Sequence, residues 1–176
     1  MKNFLNLINR KPASDADPAR MILAERVPKK AEMHVGDLIV EGHVCLDRPD
    51  DVSQIYIFGD VKIDGILCLS NWDKVTNVVI AGSLQADGIV VTCELRLTVL
   101  KDLQCRVLLN DCGDLGAVKL SGNGKIGTYI KLGSGTEELD AVEIEKRVDH
   151  VPEELSSVQE VYDRISKAGS VAEPRR

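Results

Sequence analysis

One short motif returns along this chain at a fixed spacing, and it limits the fold more than any other feature. Gly36-Asp37-Leu38-Ile39-Val40-Glu41-Gly42 reappears 23 residues later as Gly59-Asp60-Val61-Lys62-Ile63-Asp64-Gly65. The same offset leads to Gly82-Ser83-Leu84-Gln85-Ala86-Asp87-Gly88. A fainter copy, Lys101-Asp102-Leu103-Gln104-Cys105-Arg106-Val107-Leu108, follows after 19 residues, and short aliphatic runs between glycines continue to Gly133.

Within each copy the apolar residues alternate, which is the period of a strand, and the glycines mark turns. A 23-residue unit is shorter than the roughly 30 residues of a strand–helix–strand crossover. Stacking copies so that like sits on like, about 4.8 Å apart, gives every strand a partner and lines the interior with aliphatic ladders. The expectation is an all-β fold, a single-stranded parallel β-helix of about four to five coils with a 23-residue repeat. It occupies residues 35–145, after a flexible N-terminal arm over 1–34 and before a C-terminal helix and tail over 146–176. Leu38, Val40, Val44, Val61, Ile63, Leu67, Leu84 and Ala86 are its core ladders. Gly42, Gly65 and Gly88 share a corner expected to need positive φ. His43 shares a column with Ile66 and Ile89, on the outer or half-buried side.

The chain holds 22 basic and 28 acidic residues, a net charge of −6, which argues against nucleic acid as a partner. The acidic column Glu41/Asp64/Asp87, with Trp72 on a longer corner loop, is the expected partner-facing surface. A second column, Asp37/Asp60, reads as turn chemistry. No nucleophile–base arrangement, phosphate loop or metal-ligand spacing is visible, so neither an enzyme nor a cofactor is expected. Five cysteines without paired spacing point to reduced thiols in a cytoplasmic setting. Cys45 and Cys68 stack as small buried hydrophobes.

The tails carry two further expectations. If residues 2–11 are helical, Phe4, Leu5, Leu7 and Ile8 share an arc flanked by Lys2, Arg10 and Lys11, as in a weak interfacial membrane anchor. The competing arrangement folds the same four residues over the open edge of the first coil. Residues 152–165 read as a helix with Pro152, Glu153 and Glu154 in its first turn, placed to cap an open end of the β-helix.

In its Gly-Asp-aliphatic-x-aliphatic-acidic-Gly repeats at Gly36–Leu46, Gly59–Leu69 and Gly82–Val91, low aromatic content and proline-bearing flanks, the chain resembles the bactofilins. That resemblance implies a small cytoplasmic β-helix protein that polymerises end to end and touches membranes through its N-terminus. The expected function is a non-enzymatic scaffold that self-associates through its coil ends. The alternative is an acidic β-helix module, of the immunity or adaptor type, that binds another protein.

Overall fold

The computed structural model describes residues 1–8, 11–12, 31–47 and 52–170, the side chains of residues 11, 12, 47, 72, 73 and 164–170 excepted. The chain winds as a β-solenoid of about five turns, with parallel strands stacked coil on coil and one short C-terminal helix. Each coil has three faces. Face A opens with β4 (Leu38–Glu41) and face B with β5 (Val44–Asp47). Face C opens with β3 (Ala31–Val35), so the first coil begins four residues before the expected boundary at residue 35. Later strands run round the corners. β6 (Gln54–Phe58) lies on face C, while β7 (Val61–Ile80) and β8 (Leu84–Val99) each cross all three faces.

The repeat motif sits on face A. Leu38 pairs with Val61, Val61 with Leu84, Leu84 with Leu103, Leu103 with Gly124 and Gly124 with Val142, in steps of 23, 23, 19, 21 and 18 residues. These partners link β9 (Leu103–Cys112), β11 (Gly124–Lys131) and β13 (Val142–Val148). Coils therefore shorten toward the C-terminus while keeping their pairing, which is why the later copies are faint in sequence. Leu38, Val40, Val44, Val61, Ile63, Leu67, Leu84 and Ala86 are all buried in one central cluster.

Stacking explains the conserved spacing of the first glycine column. A Cβ on Gly59 would lie 2.1 Å from the Gly36 carbonyl oxygen, so the coils can close only without one. The carboxylates beside this column are structural. Asp37 Oδ1 accepts the Asp60 amide at 2.8 Å, and Asp60 Oδ1 accepts the Ser83 amide at 2.8 Å. Each coil thereby satisfies a donor that its successor would leave bare at the corner.

The second glycine column departs from expectation. Gly42 and Gly65 have φ of +82° and +147°, but Gly88 is not in this region. Gly88 pairs with Ile66, not with Gly65, because the third coil has one residue fewer at this corner. Ile89 accordingly pairs with Leu67 in the core and does not stack on His43 and Ile66. His43 is exposed, and its Nδ1 accepts the Ile66 amide at 3.0 Å.

Face B is apolar on its outer side as well as its inner one. Its outward column Cys45, Cys68, Val90, Leu109 and Ile130 forms a second apolar cluster with Ile66, Val107, Val158 and Val161. Val158 and Val161 belong to the helix α1 (Ser156–Ser170), and the Tyr162 hydroxyl donates to Asp111 Oδ2 at 2.7 Å. The helix thus straps the side of the solenoid and does not cap its end. The reason is area: a lateral apolar column several coils long buries more helix surface than a strand edge does. The stacked Cys45 and Cys68 are buried as expected, but outside the barrel, beneath this strap. Ile165, the last residue of the helix expected from sequence, has a side chain outside the described set.

At the N-terminal end the chain covers itself. β1 (Lys2–Asn3) pairs in parallel with β5, and β2 (Lys11–Pro12) pairs antiparallel with β3. Residues Phe4–Asn6 form one 3-10 turn capped by Asn3, whose Oδ1 accepts the Leu5 amide at 2.9 Å. Phe4 and Ile8 are buried in the central cluster, and Leu5 and Leu7 pack against it. The membrane-anchor arrangement is therefore corrected: these four residues plug the first coil, where burying Phe4 contributes about 2–3 kcal/mol. The described residues contain no helix long and apolar enough to cross a membrane.

Candidate functional site

Face A alternates strictly over its strands. Inward residues fill the core, while the outward ones build two columns that run parallel to the solenoid axis. One reads Ile39, Lys62, Gln85, Gln104, Lys125 and Glu143. The other reads Glu41, Asp64, Asp87, Arg106, Gly127 and Glu145, all but Gly127 exposed. Gly127, which has no side chain, opens the second column between Arg106 and Glu145. The result is a groove of about 650 Å³ that crosses the coils from Ile39 to Glu145.

Glu41, Asp64 and Asp87, expected to face a partner, all line this groove. Glu41 stacks on Asp64, and Asp87 follows on the next coil across a one-residue register shift, at the end nearer the N-terminus. The column then changes sign at Arg106, and in the neighbouring column Lys125 makes an ion pair with Glu145 at 3.4 Å. Ile39, at 76% exposure, adds an apolar contact beside Glu41. Beneath the strand, Cys105 is buried in the core, and burial pushes its thiol up to about 12. Among the described residues, no group of three or more His, Cys, Asp or Glu is placed to hold a metal ion.

Trp72 is not part of this surface. The backbone around it belongs to the face B to face C corner of β7, where the pairing register shifts between Asn71 and Thr76. The expected loop at 70–76 is therefore strand, and the Trp72 side chain lies outside the described residues. The sequence also suggests a second long corner loop over 47–53, around Pro49, and most of it lies outside the described residues. Gln104, Arg106, Lys125 and Glu145 went unrecognised as site residues because they occupy coils shorter than 23 residues. Their signal was the unbroken in–out alternation, not the spacing.

No family model, curated protein or solved structure matches this chain. The arrangement of its surfaces is what bears on function. Face C carries a smaller groove of about 370 Å³, where Arg96 Nε donates to the Leu115 carbonyl at 2.6 Å and Lys119 pairs with Glu138. Face B is strapped by α1, and the N-terminal end is plugged.

The C-terminal end ends in a polar network. Arg147, stacked one coil above Tyr129, holds its guanidinium carbon 4.9 Å from the ring centroid and donates to Glu137 Oε1 at 3.1 Å. Glu137 lies on β12 (Thr136–Glu138) and also accepts from the Tyr129 hydroxyl. Asn110 Nδ2 donates to that hydroxyl at 3.0 Å, and Lys131 Nζ stands 3.9 Å from Glu137. Burial raises the Glu137 carboxyl, but bonds from Tyr129 and Arg147 and the charges of Arg147 and Lys131 outweigh it and hold it below its ordinary value. Burial first, then the Glu137 bond, raise the Tyr129 phenol.

Proposed function

We propose that this protein is a non-enzymatic β-solenoid scaffold that binds a protein partner along the face A groove. The observation that supports this reading is the placement of Glu41, Asp64 and Asp87 together in that groove, beside Lys62, Gln85 and Gln104. A rigid parallel sheet presents these side chains at fixed intervals, which lowers the ordering cost of recognition. Polar residues of both signs favour a specific, charge-matched protein surface over a polyanion or a lipid. The five cysteines, all free, suit a reducing cytoplasmic compartment. A photo-crosslinking residue at position 85, introduced in the native host, tests the reading. A discrete adduct that disappears with Asp64→Lys is expected. Adducts only from the same probe at position 119 would move the site to face C.

A second reading, closer to the bactofilin resemblance, has copies joining through their ends. It is favoured by β12 and β13, each paired on one side alone among the described strands. Although Phe4 plugs the core at the N-terminal end, β1, β2 and β4 there are likewise paired on one side alone, so their edges can meet those of the C-terminal end. Arg147 and Glu137 project into that end, and inward charges of this kind guard an edge against pairing. Sedimentation velocity separates the readings: a concentration-independent monomer favours the groove, and a mass doubled by self-pairing favours the end.

A further inference from the structure

We infer that the occupant of the face A groove is an α-helix of the protein partner, bearing Lys or Arg at i, i+3 or i+4, and i+7, and an acidic residue at i+10 or i+11. This rests on the proposed function and specifies the partner's chemistry. The argument is one of spacing and sign. Glu41 pairs directly with Asp64, Asp87 follows on the next coil across a one-residue register shift, and Arg106 comes after Asp87; all four line the groove. Two coil steps span about 9.6 Å. Seven helical residues advance about 10.5 Å, and residues at i, i+3 or i+4, and i+7 share one face. An extended strand laid along the same axis meets the column only with alternate residues, and three of them span about 13 Å. A helix therefore meets each carboxylate within about 1 Å, whereas a strand falls out of step by the third.

The reversal at Arg106 gives the interaction a direction. A helix inserted the wrong way round sets one cation against Arg106 and its acid against Glu41, which costs affinity through two like-charge contacts. The second column supplies polar contacts at Lys62, Gln85 and Gln104, which suit a solvated helix better than a fully apolar one.

Three synthetic peptides of equal length and net charge test this by fluorescence anisotropy against the intact protein. One is helical with the stated register, one is helical with the charges moved to other positions, and one keeps the register but carries a central Pro-Gly. The first is expected to bind at least tenfold tighter than either control, with affinity falling as salt rises. Asp64→Lys is expected to cost at least tenfold for that peptide. Arg106→Glu is expected to reverse the preference at i+11 from acidic to basic. Equal binding of all three peptides, preference for the Pro-Gly peptide, or no binding by any overturns the inference. The position-85 adduct is independent of these outcomes: its presence with a failed peptide series leaves the groove a protein site with a different occupant, and its absence removes the groove itself.

Discussion

The two ends of this solenoid solve one problem in opposite ways. A stack of coils leaves unpaired strand edges and an exposed core at each terminus. At the N-terminal end the chain returns on itself: β1 and β2 add strands to the first coil, and Phe4 and Ile8 enter the core. At the C-terminal end no further strand is added among the described residues, and the ladder gives way to Tyr129, Glu137, Arg147 and Lys131. One end is closed by apolar burial and the other by charge. The comparison teaches that a repeat need not end by symmetric capping. Burial stabilises strongly, while partly exposed charges stabilise little but discourage pairing with another chain.

The interior sets the scale against which both ends are measured. Ile63→Asp places a carboxylate in the central cluster and is expected to abolish the fold, whose total stability is about 5–15 kcal/mol. A cooperative thermal melt from this variant contradicts the face A register. At the plugged end, Phe4→Ala is expected to cost about 3–5 kcal/mol in urea denaturation, as for a large core truncation. A loss below 1 kcal/mol, on the order of a surface substitution, would place Phe4 outside the core in solution.

At the charged end the effects are smaller. Arg147→Ala removes a cation over a ring and one partly exposed ion pair, so a loss of about 1 kcal/mol is expected. A loss as large as that of Phe4→Ala would erase the contrast between the ends. The smallest effect is in pH. Glu137 titrates below its ordinary value of 4.5 in the folded protein, so its contribution is fully present above that pH. It is lost as pH falls through the folded value. Chemical denaturation between pH 6 and pH 3 is expected to show a shallower acid loss for Glu137→Gln than for the parent, and identical slopes refute the network's role.

Much of this architecture is legible in the sequence, because stacked coils repeat their physical requirements. Gly59 and Gly82 recur since each approaches the preceding coil too closely for a Cβ, while Gly36 holds a φ of +114°. Leu38, Val61 and Leu84 recur since each fills the same column of the core. The spacing of these residues was sufficient for a parallel β-helix, its aliphatic ladders and the shared column of Glu41, Asp64 and Asp87.

What the tertiary structure alone decided is everything that the period does not encode. Gly88 looked like Gly42 and Gly65, yet losing one residue at a corner shifts its pairing to Ile66, because backbone register and not motif similarity sets the hydrogen bonds. Arg106, Lys125 and Glu145 joined the groove through coils of other lengths. The two amphipathic tails carried apolar residues whose destination no local pattern specifies. Phe4 and Ile8 went to the barrel end and Val158 and Val161 to its flank, since each settles where a complementary apolar surface, assembled from residues distant in sequence, removes it from water.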